Sequence, residues 1–188
     1  MTLGAFIYVV GPSGAGKDSL IDGARTRLPE ERFIFARRTI TRPADAGGED
    51  HCPCTPEEFE KRKSAGEFLI SWQAHDLSYG LPLGLKSQVE DGKIALANGS
   101  RNLVAELSTK VKPFFVIEVG APPEVLATRL AARGRESAQN LAQRLARSVN
   151  PYPLGITVLH VNNDQTLEVG IERFLAAIEH IRLTVTEA

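Results

Sequence analysis

Residues Gly11-Pro12-Ser13-Gly14-Ala15-Gly16-Lys17-Asp18-Ser19 constrain this chain more than any other stretch. The run before them, Ala5-Phe6-Ile7-Tyr8-Val9-Val10, is apolar and β-branched, and predicts a buried strand. Ser19 to Leu28, closed by Pro29, predicts a helix. A glycine-rich turn in that setting lets successive backbone N–H groups converge on phosphate oxygens with no Cβ in the way. The helix N-terminus adds partial positive charge, and Lys17 adds a mobile full charge for the outer phosphates of a nucleotide. The usual pattern, G-x-x-x-x-G-K-[ST], ends in a hydroxyl. Here Asp18 takes that position and Ser19 follows one residue late. A carboxylate there suits Mg²⁺, which favours one or two hard anionic ligands, so Asp18 and Ser19 are the candidate metal ligands. An acid in a first helical turn also complements the helix dipole, and the sequence leaves both readings open.

The rest of the chain sets few limits on this reading. Its 188 residues suffice for one domain with a sizeable core. A formal net charge of −1 supplies no bulk basic field for nucleic acid or an anionic membrane. No apolar run approaches membrane-spanning length. The N-terminal apolar run leads straight into the glycine loop and reads as structural, not as a signal peptide. Cys52 and Cys54 lack two further ligands at zinc-site spacing, and read as reduced thiols in a cytoplasmic protein.

Strand and helix signals alternate. Strands are expected at Phe33 to Ala36, Phe68 to Ala74, around Tyr79, at Ile94 to Ala97, Phe114 to Val119 and Ile156 to Val161. Helices are expected after Thr55, where Pro56 and Glu58 suit a capping box, and at Leu85 to Glu90, Asn102 to Lys110, Pro123 to Arg133, Ala138 to Ser148 and Thr166 to Ile181, with the last residues fraying. This alternation predicts an α/β fold, a parallel sheet with helices on both faces. One domain spans 1–188: a core of 1–36 and 93–188, an inserted region of 37–92, and a lid at about 133–142.

Arginines gather at Arg37, Arg38 and Arg42 and again at Arg129, Arg133, Arg135, Arg144 and Arg147. Phosphoryl transfer needs positioning and charge neutralisation more than covalent help, and arginine forks match phosphate oxygens. Asn98-Gly99-Ser100-Arg101 follows a buried strand, where the ligand crevice of such sheets lies. A helix cap is the competing reading for Asn98 or Ser100.

With these segments placed, the chain resembles the guanylate kinase family. The matching pieces are Gly11 to Lys17, Ile40-Thr41-Arg42, Gly66-Glu67-Phe68-Leu69, Tyr79-Gly80, Arg129-Leu130, Arg133-Gly134, Arg144-Leu145 and Val161 to Asp164. The resemblance implies a P-loop NTPase three-layer fold, ATP as phosphoryl donor and Mg²⁺. It implies Arg42 and Tyr79 on an acceptor phosphate, Arg133 and Arg144 with Lys17 on the transferring group, and Asn162 near the adenine. Arg38, Asn98, Ser100 and Arg101 complete the candidate acceptor contacts. The departures are informative. The carboxylate that reads guanine in the family is Ile70, a small hydroxyl is Leu81, a second phosphate-gripping arginine is Asp45, a tyrosine is His51, and paired acids are Asn98 and Ser100. Gly16 to Ser19, Ile40 to Arg42, Asn98 to Arg101 and Arg133 to Glu136 are similar to a smaller branch, the ribose 1,5-bisphosphate phosphokinases of phosphonate catabolism. That branch implies a small sugar bisphosphate as partner and 5-phosphoribosyl 1-diphosphate as product. The alternatives are nucleoside monophosphate kinase activity and a non-catalytic binding module. The acids missing at Asn98 and Ser100 are expected to be offset by the one gained at Asp18.

Overall fold

A computed structural model describes residues 3–46, 49–74, 76–132 and 152–186. Strand β1 (Ala5–Val10) is fully buried along its length and sits at the centre of a five-stranded sheet. Its neighbours are β7 (Ile94–Asn98) on one side and β8 (Phe114–Gly120) on the other, with β2 (Phe33–Phe35) and β9 (Thr157–Asn162) at the edges. Every pairing is parallel. A strand buried on both faces reads as a continuous apolar run, which is why Ala5 to Val10 shows no alternation in sequence.

The two faces still have separate cores. Ala5, Ile7 and Val9 pack with Ile117, Val119 and Phe174 beneath helices α1 (Lys17–Arg25) and α6 (Leu167–Thr186). Phe6, Tyr8 and Val10 pack on the opposite face with Leu85, Val89, Val104 and Leu107, from α3 (Gly84–Glu90) and α4 (Val104–Lys110). Phe174, Ile178 and Ile181 of α6 are fully buried, and each contributes about 1.5–3 kcal/mol by removal from water. That stripe continues to Val185, so the last helix runs five residues past its predicted end at Ile181 instead of fraying there. The first helix begins at Lys17, earlier than expected, because Gly16 caps it from a left-handed conformation (φ 87°).

The region predicted as an insertion carries a second sheet. Its strands are β3 (Thr39–Ile40), β4 (Cys52–Pro53), β5 (Phe68–Ala74) and β6 (Leu77–Pro82), ordered β4-β3-β6-β5. The two-residue strands β3 and β4 were not predicted, since two residues hold no periodicity. Helix α2 (Pro56–Ser64) joins β4 to β5 and has the expected capping box: Glu58 N donates to Thr55 Oγ1 at 3.2 Å and Thr55 N to Glu58 Oε2 at 2.8 Å. Leu69, Ile70 and Leu81 drive this sheet into the core of the first, and Lys110 Nζ on α4 donates to Leu69 O at 3.0 Å. Helix α5 (Pro123–Ala132) follows β8. The expected helix at Ala138 to Ser148 and the lid at about 133–142 lie outside the described residues. Among the described residues no helix is long and apolar enough to cross a membrane.

Candidate active site

The carboxyl ends of β1, β7, β8 and β9 open on one edge of the parallel sheet, where such folds hold their ligands. The loop from Gly11 to Gly16 leaves β1 there. Gly14 and Gly16 have φ of 84° and 87°, a region costly for other residues. Lys17 Nζ donates to Gly11 O at 2.9 Å and Pro12 O at 3.1 Å, which holds the ammonium over the loop. Ala15 is buried, while Pro12, Ser13 and Lys17 are partly exposed at the crevice.

Asn163, the residue after β9, braces this loop. Its Nδ2 donates to Ala15 O at 2.8 Å and its backbone N to Gly120 O at 2.8 Å. Arg129 Nη1 on α5 donates to Asn163 O at 2.9 Å. A Cβ on Gly16 would run into the Asn163 amide. Asn163 therefore does structural work that the sequence reading, centred on Asn162, did not single out. Asn162 itself is exposed; its Nδ2 donates to Asp164 Oδ2 at 2.8 Å and its carbonyl accepts from Arg173 Nη1 at 2.7 Å.

Across the crevice, Asn98 Nδ2 at the end of β7 donates to Asp18 Oδ1 at 2.6 Å. This contact joins residues eighty positions apart and sets the direction of the Asp18 carboxylate. Ser19 is exposed and one helical step away, about 100° around the axis. An all-oxygen set of Asp18 and Ser19 fits a hard cation such as Mg²⁺, which keeps several waters.

Tyr8 holds the Asn98–Ser100 corner. Its buried hydroxyl donates to Ser100 O at 3.2 Å, and burial pushes that hydroxyl well above its ordinary pKa. The hydroxyl lies where a Cβ on Gly99 would fall. Gly99→Ala is thus expected to cost about 1–3 kcal/mol by overpacking, lowering the melting temperature by about 2–4 °C per kcal/mol in a chain of this size. A thermal melt checks this, and an unchanged Tm would show that the corner yields freely. Arg101 pairs with Glu118 (Nη2–Oε1, 3.3 Å). Burial, with Glu118 close by, pushes the Tyr152 hydroxyl up to about 12.

The acceptor-side candidates come together on the second sheet. Tyr79 lies opposite Ile40 in the ladder and stacks on Trp72, with ring centroids 5.3 Å apart. Arg42 Nη2 is 3.4 Å from His51 Nδ1. The His51 ring is buried, with Nδ1 3.0 Å from Glu49 O and Nε2 3.1 Å from Arg42 O, which pins the polar loop between them. Arg42 Nε is buried with no hydrogen-bond partner among the described residues, unlike most buried polar atoms. Arg37 pairs with Asp50 at 2.8 Å, and Arg25 also approaches Asp50. Asp50 is therefore engaged in a surface tie with both arginines. Arg133 and Arg144 lie outside the described residues, as do Arg135 and Arg147.

The guanylate kinase family model matches residues 4–179. Ribose 1,5-bisphosphate phosphokinase PhnN of Agrobacterium fabrum is 43% identical over 86% of this chain and 89% of its own. The chain belongs to the guanylate kinase family, in its ribose 1,5-bisphosphate phosphokinase branch. It is also 50% identical, over 94% of its residues, to the bifunctional ribose 1,5-bisphosphokinase-thymidine phosphorylase of Cupriavidus pinatubonensis, of whose length it spans 29%. Guanylate kinase from Anaplasma phagocytophilum has the same fold, with a TM-score of 0.67 at 18% identity, covering 100% of this chain and 88% of that one. A gluconokinase from Sinorhizobium meliloti gives a TM-score of 0.54 at 19% identity, covering 98% and 97%. Within this guanylate kinase fold, Ile70 and Leu81 face each other across β5 and β6 and are buried in the apolar core. Neither offers a hydrogen bond to a base.

Proposed function

We propose that this chain transfers the γ-phosphoryl group of ATP to the 1-phosphate of ribose 1,5-bisphosphate, giving ADP and 5-phosphoribosyl 1-diphosphate. The observation that carries this reading is the acceptor wall. It presents Arg38, Arg42 and Tyr79 where the family's base-reading positions have become the buried pair Ile70 and Leu81. A site built to hydrogen-bond a polar base loses that base when its partners become apolar. The curated relative from Agrobacterium fabrum carries the name of this activity.

Gly11, Pro12, Ser13, Gly14, Ala15 and Gly16 wrap the donor phosphates with backbone N–H groups, and Lys17 places its ammonium on the outer ones. Asp18 and Ser19 would hold Mg²⁺, which when bound would supply charge neutralisation for the transferring phosphate. Asn162 lies at the adenine end. Arg42 and Tyr79 hold the accepting phosphate, and Asn98, Ser100 and Arg101 line the end of β7 beside it. Arg133 and Arg144 supply charge to the moving group. An acceptor phosphate oxygen attacks the γ-phosphorus and forms the new P–O bond, while the bond to the β–γ bridging oxygen breaks and its electron pair leaves with ADP. A phosphate monoester with a second pKa of about 6 is already anionic at neutral pH, so no general base is required.

ADP release from ATP, measured side by side with ribose 1,5-bisphosphate, GMP, AMP and gluconate, tests the assignment. Ribose 1,5-bisphosphate is expected to be preferred by at least about 10²-fold in kcat/KM, the scale set by unfilled polar contacts. Preference for GMP would overturn the acceptor, and absence of turnover with all four would favour a binding module.

A further inference from the structure

Arg38 is held on three sides. Its side chain is 13% exposed and pairs with Glu49, itself 15% exposed. Glu49 takes Nε at 2.7 Å and closes on Nη2 as well. The guanidinium lies 5.2 Å from the centroid of the Tyr79 ring and 5.9 Å from that of Trp72. A nearly dry ion pair recovers its desolvation cost only with good geometry, and apolar side chains would serve stability as well. What this clamp does achieve is direction. Glu49 uses the Nε and Nη2 edge, and Nη1 carries no hydrogen bond among the described residues.

Arg38 is close enough for its charge to act on the Tyr8 hydroxyl, which bonds Ser100 O beside the Asn98–Asp18 contact. Arg42 stands four residues on, next to His51, with its own buried Nε unpartnered. The second sheet thus carries two separate guanidinium groups, one on each side of β3. A substrate with a single phosphate would use one of them.

We propose that Arg38, oriented by Glu49 on the Tyr79–Trp72 stack, is the specificity-determining residue that grips the non-reacting phosphate of a sugar bisphosphate, leaving Arg42 to the reacting one. This rests on the acceptor assignment above and divides the acceptor's two anions between two arginines. Glu49 is a positioning residue: it neutralises Arg38 in the empty site and fixes which edge faces the ligand, so that a phosphate adds charge-assisted bonds at Nη1 and Nη2.

The test compares ribose 1,5-bisphosphate with ribose 1-phosphate, an acceptor lacking the second phosphate, in the unsubstituted chain and in Arg38→Ala, Arg38→Lys and Glu49→Gln. Arg38→Ala is expected to lower kcat/KM for the bisphosphate about 10²-fold, the scale of a lost charged hydrogen bond, and to leave the monophosphate within threefold. Glu49→Gln is expected to raise KM for the bisphosphate alone by about fivefold to tenfold. Equal losses for both acceptors would overturn the proposal. If Arg38→Ala fails to fold, Arg38→Lys, which keeps the charge, decides by the same selectivity ratio. Calorimetric titration with ribose 5-phosphate reads the grip without turnover. Binding lost in Arg38→Ala supports it, and no binding by the unsubstituted chain, or equal binding by both, overturns it. Absence of turnover with either acceptor would overturn the activity instead, while the titration still decides the role of Arg38.

Discussion

Replacing Lys17 by alanine is expected to lower kcat/KM about 10²–10³-fold, the scale of removing one fixed charge or donor from a developing anionic transition state. The ammonium is already placed: Nζ bonds Gly11 O and Pro12 O, so its approach to the outer phosphates requires no search. The fold should survive. Lys17 sits at the first turn of α1, partly exposed, and the helix is anchored by Leu20, Ile21 and Ala24 in the core, not by the lysine. Lys17→Arg is expected to recover little, because a planar fork cannot take the place of a compact ammonium inside this loop. Steady-state ADP release, with a thermal melt as control for folding, measures both. Turnover within threefold of the unsubstituted chain would mean that the loop is not where the transferring phosphates lie.

What the sequence disclosed and what it hid divide along the range of the interactions. Gly14, Gly16 and Lys17 were legible because the loop's chemistry is written into consecutive residues between a buried strand and a helix. The capping box at Thr55 and Glu58 was legible for the same reason. The parallel sheet followed from alternating segments, each long enough to show its character. The second sheet did not, because β3 and β4 are two residues each and exist only through their partners on β6 and one another. The contact between Asp18 and Asn98 spans eighty residues, and no spacing rule reaches that far. Arg38 was picked out as one member of a basic cluster, but its clamp by Glu49 could be seen only once the intervening loop was folded by His51. The position of Arg101 after a buried strand points to a ligand contact, and the structure adds its ion pair to Glu118 on β8. Asn163 had the local signal of an asparagine pair at a strand end, yet only the folded chain shows that the second of the two braces the phosphate loop.

The second large effect concerns the carboxylate at Asp18. Asp18→Ala is expected to lower kcat/KM about 10²-fold and to shift the Mg²⁺ concentration needed for half-maximal turnover upward, because the proposed Mg²⁺ site would lose an anionic oxygen donor. The alternative is that Asp18 only complements the helix dipole. That role is worth about 0.3–1 kcal/mol and would lower the melting temperature without moving the Mg²⁺ curve. The structure gives a sharper experiment. Asn98 Nδ2 and Asp18 Oδ1 are 2.6 Å apart, so the carboxylate and its neutral partner face each other from β7 and α1. Asn98→Asp alone places two carboxylates in contact and is expected to lower both stability and turnover. Asp18→Ser with Asn98→Asp restores one carboxylate, now from the strand side, opposite a hydroxyl. That double substitution is expected to regain at least tenfold over Asp18→Ser alone, a gain of about 1.4 kcal/mol; the coupling energy between the two positions is larger than this by the cost of Asn98→Asp alone, as expected for residues in direct contact. Losses that simply add, with the Mg²⁺ curve unmoved in every variant, would show that the metal is held elsewhere and that the pair serves only to dock the first helix against the central sheet.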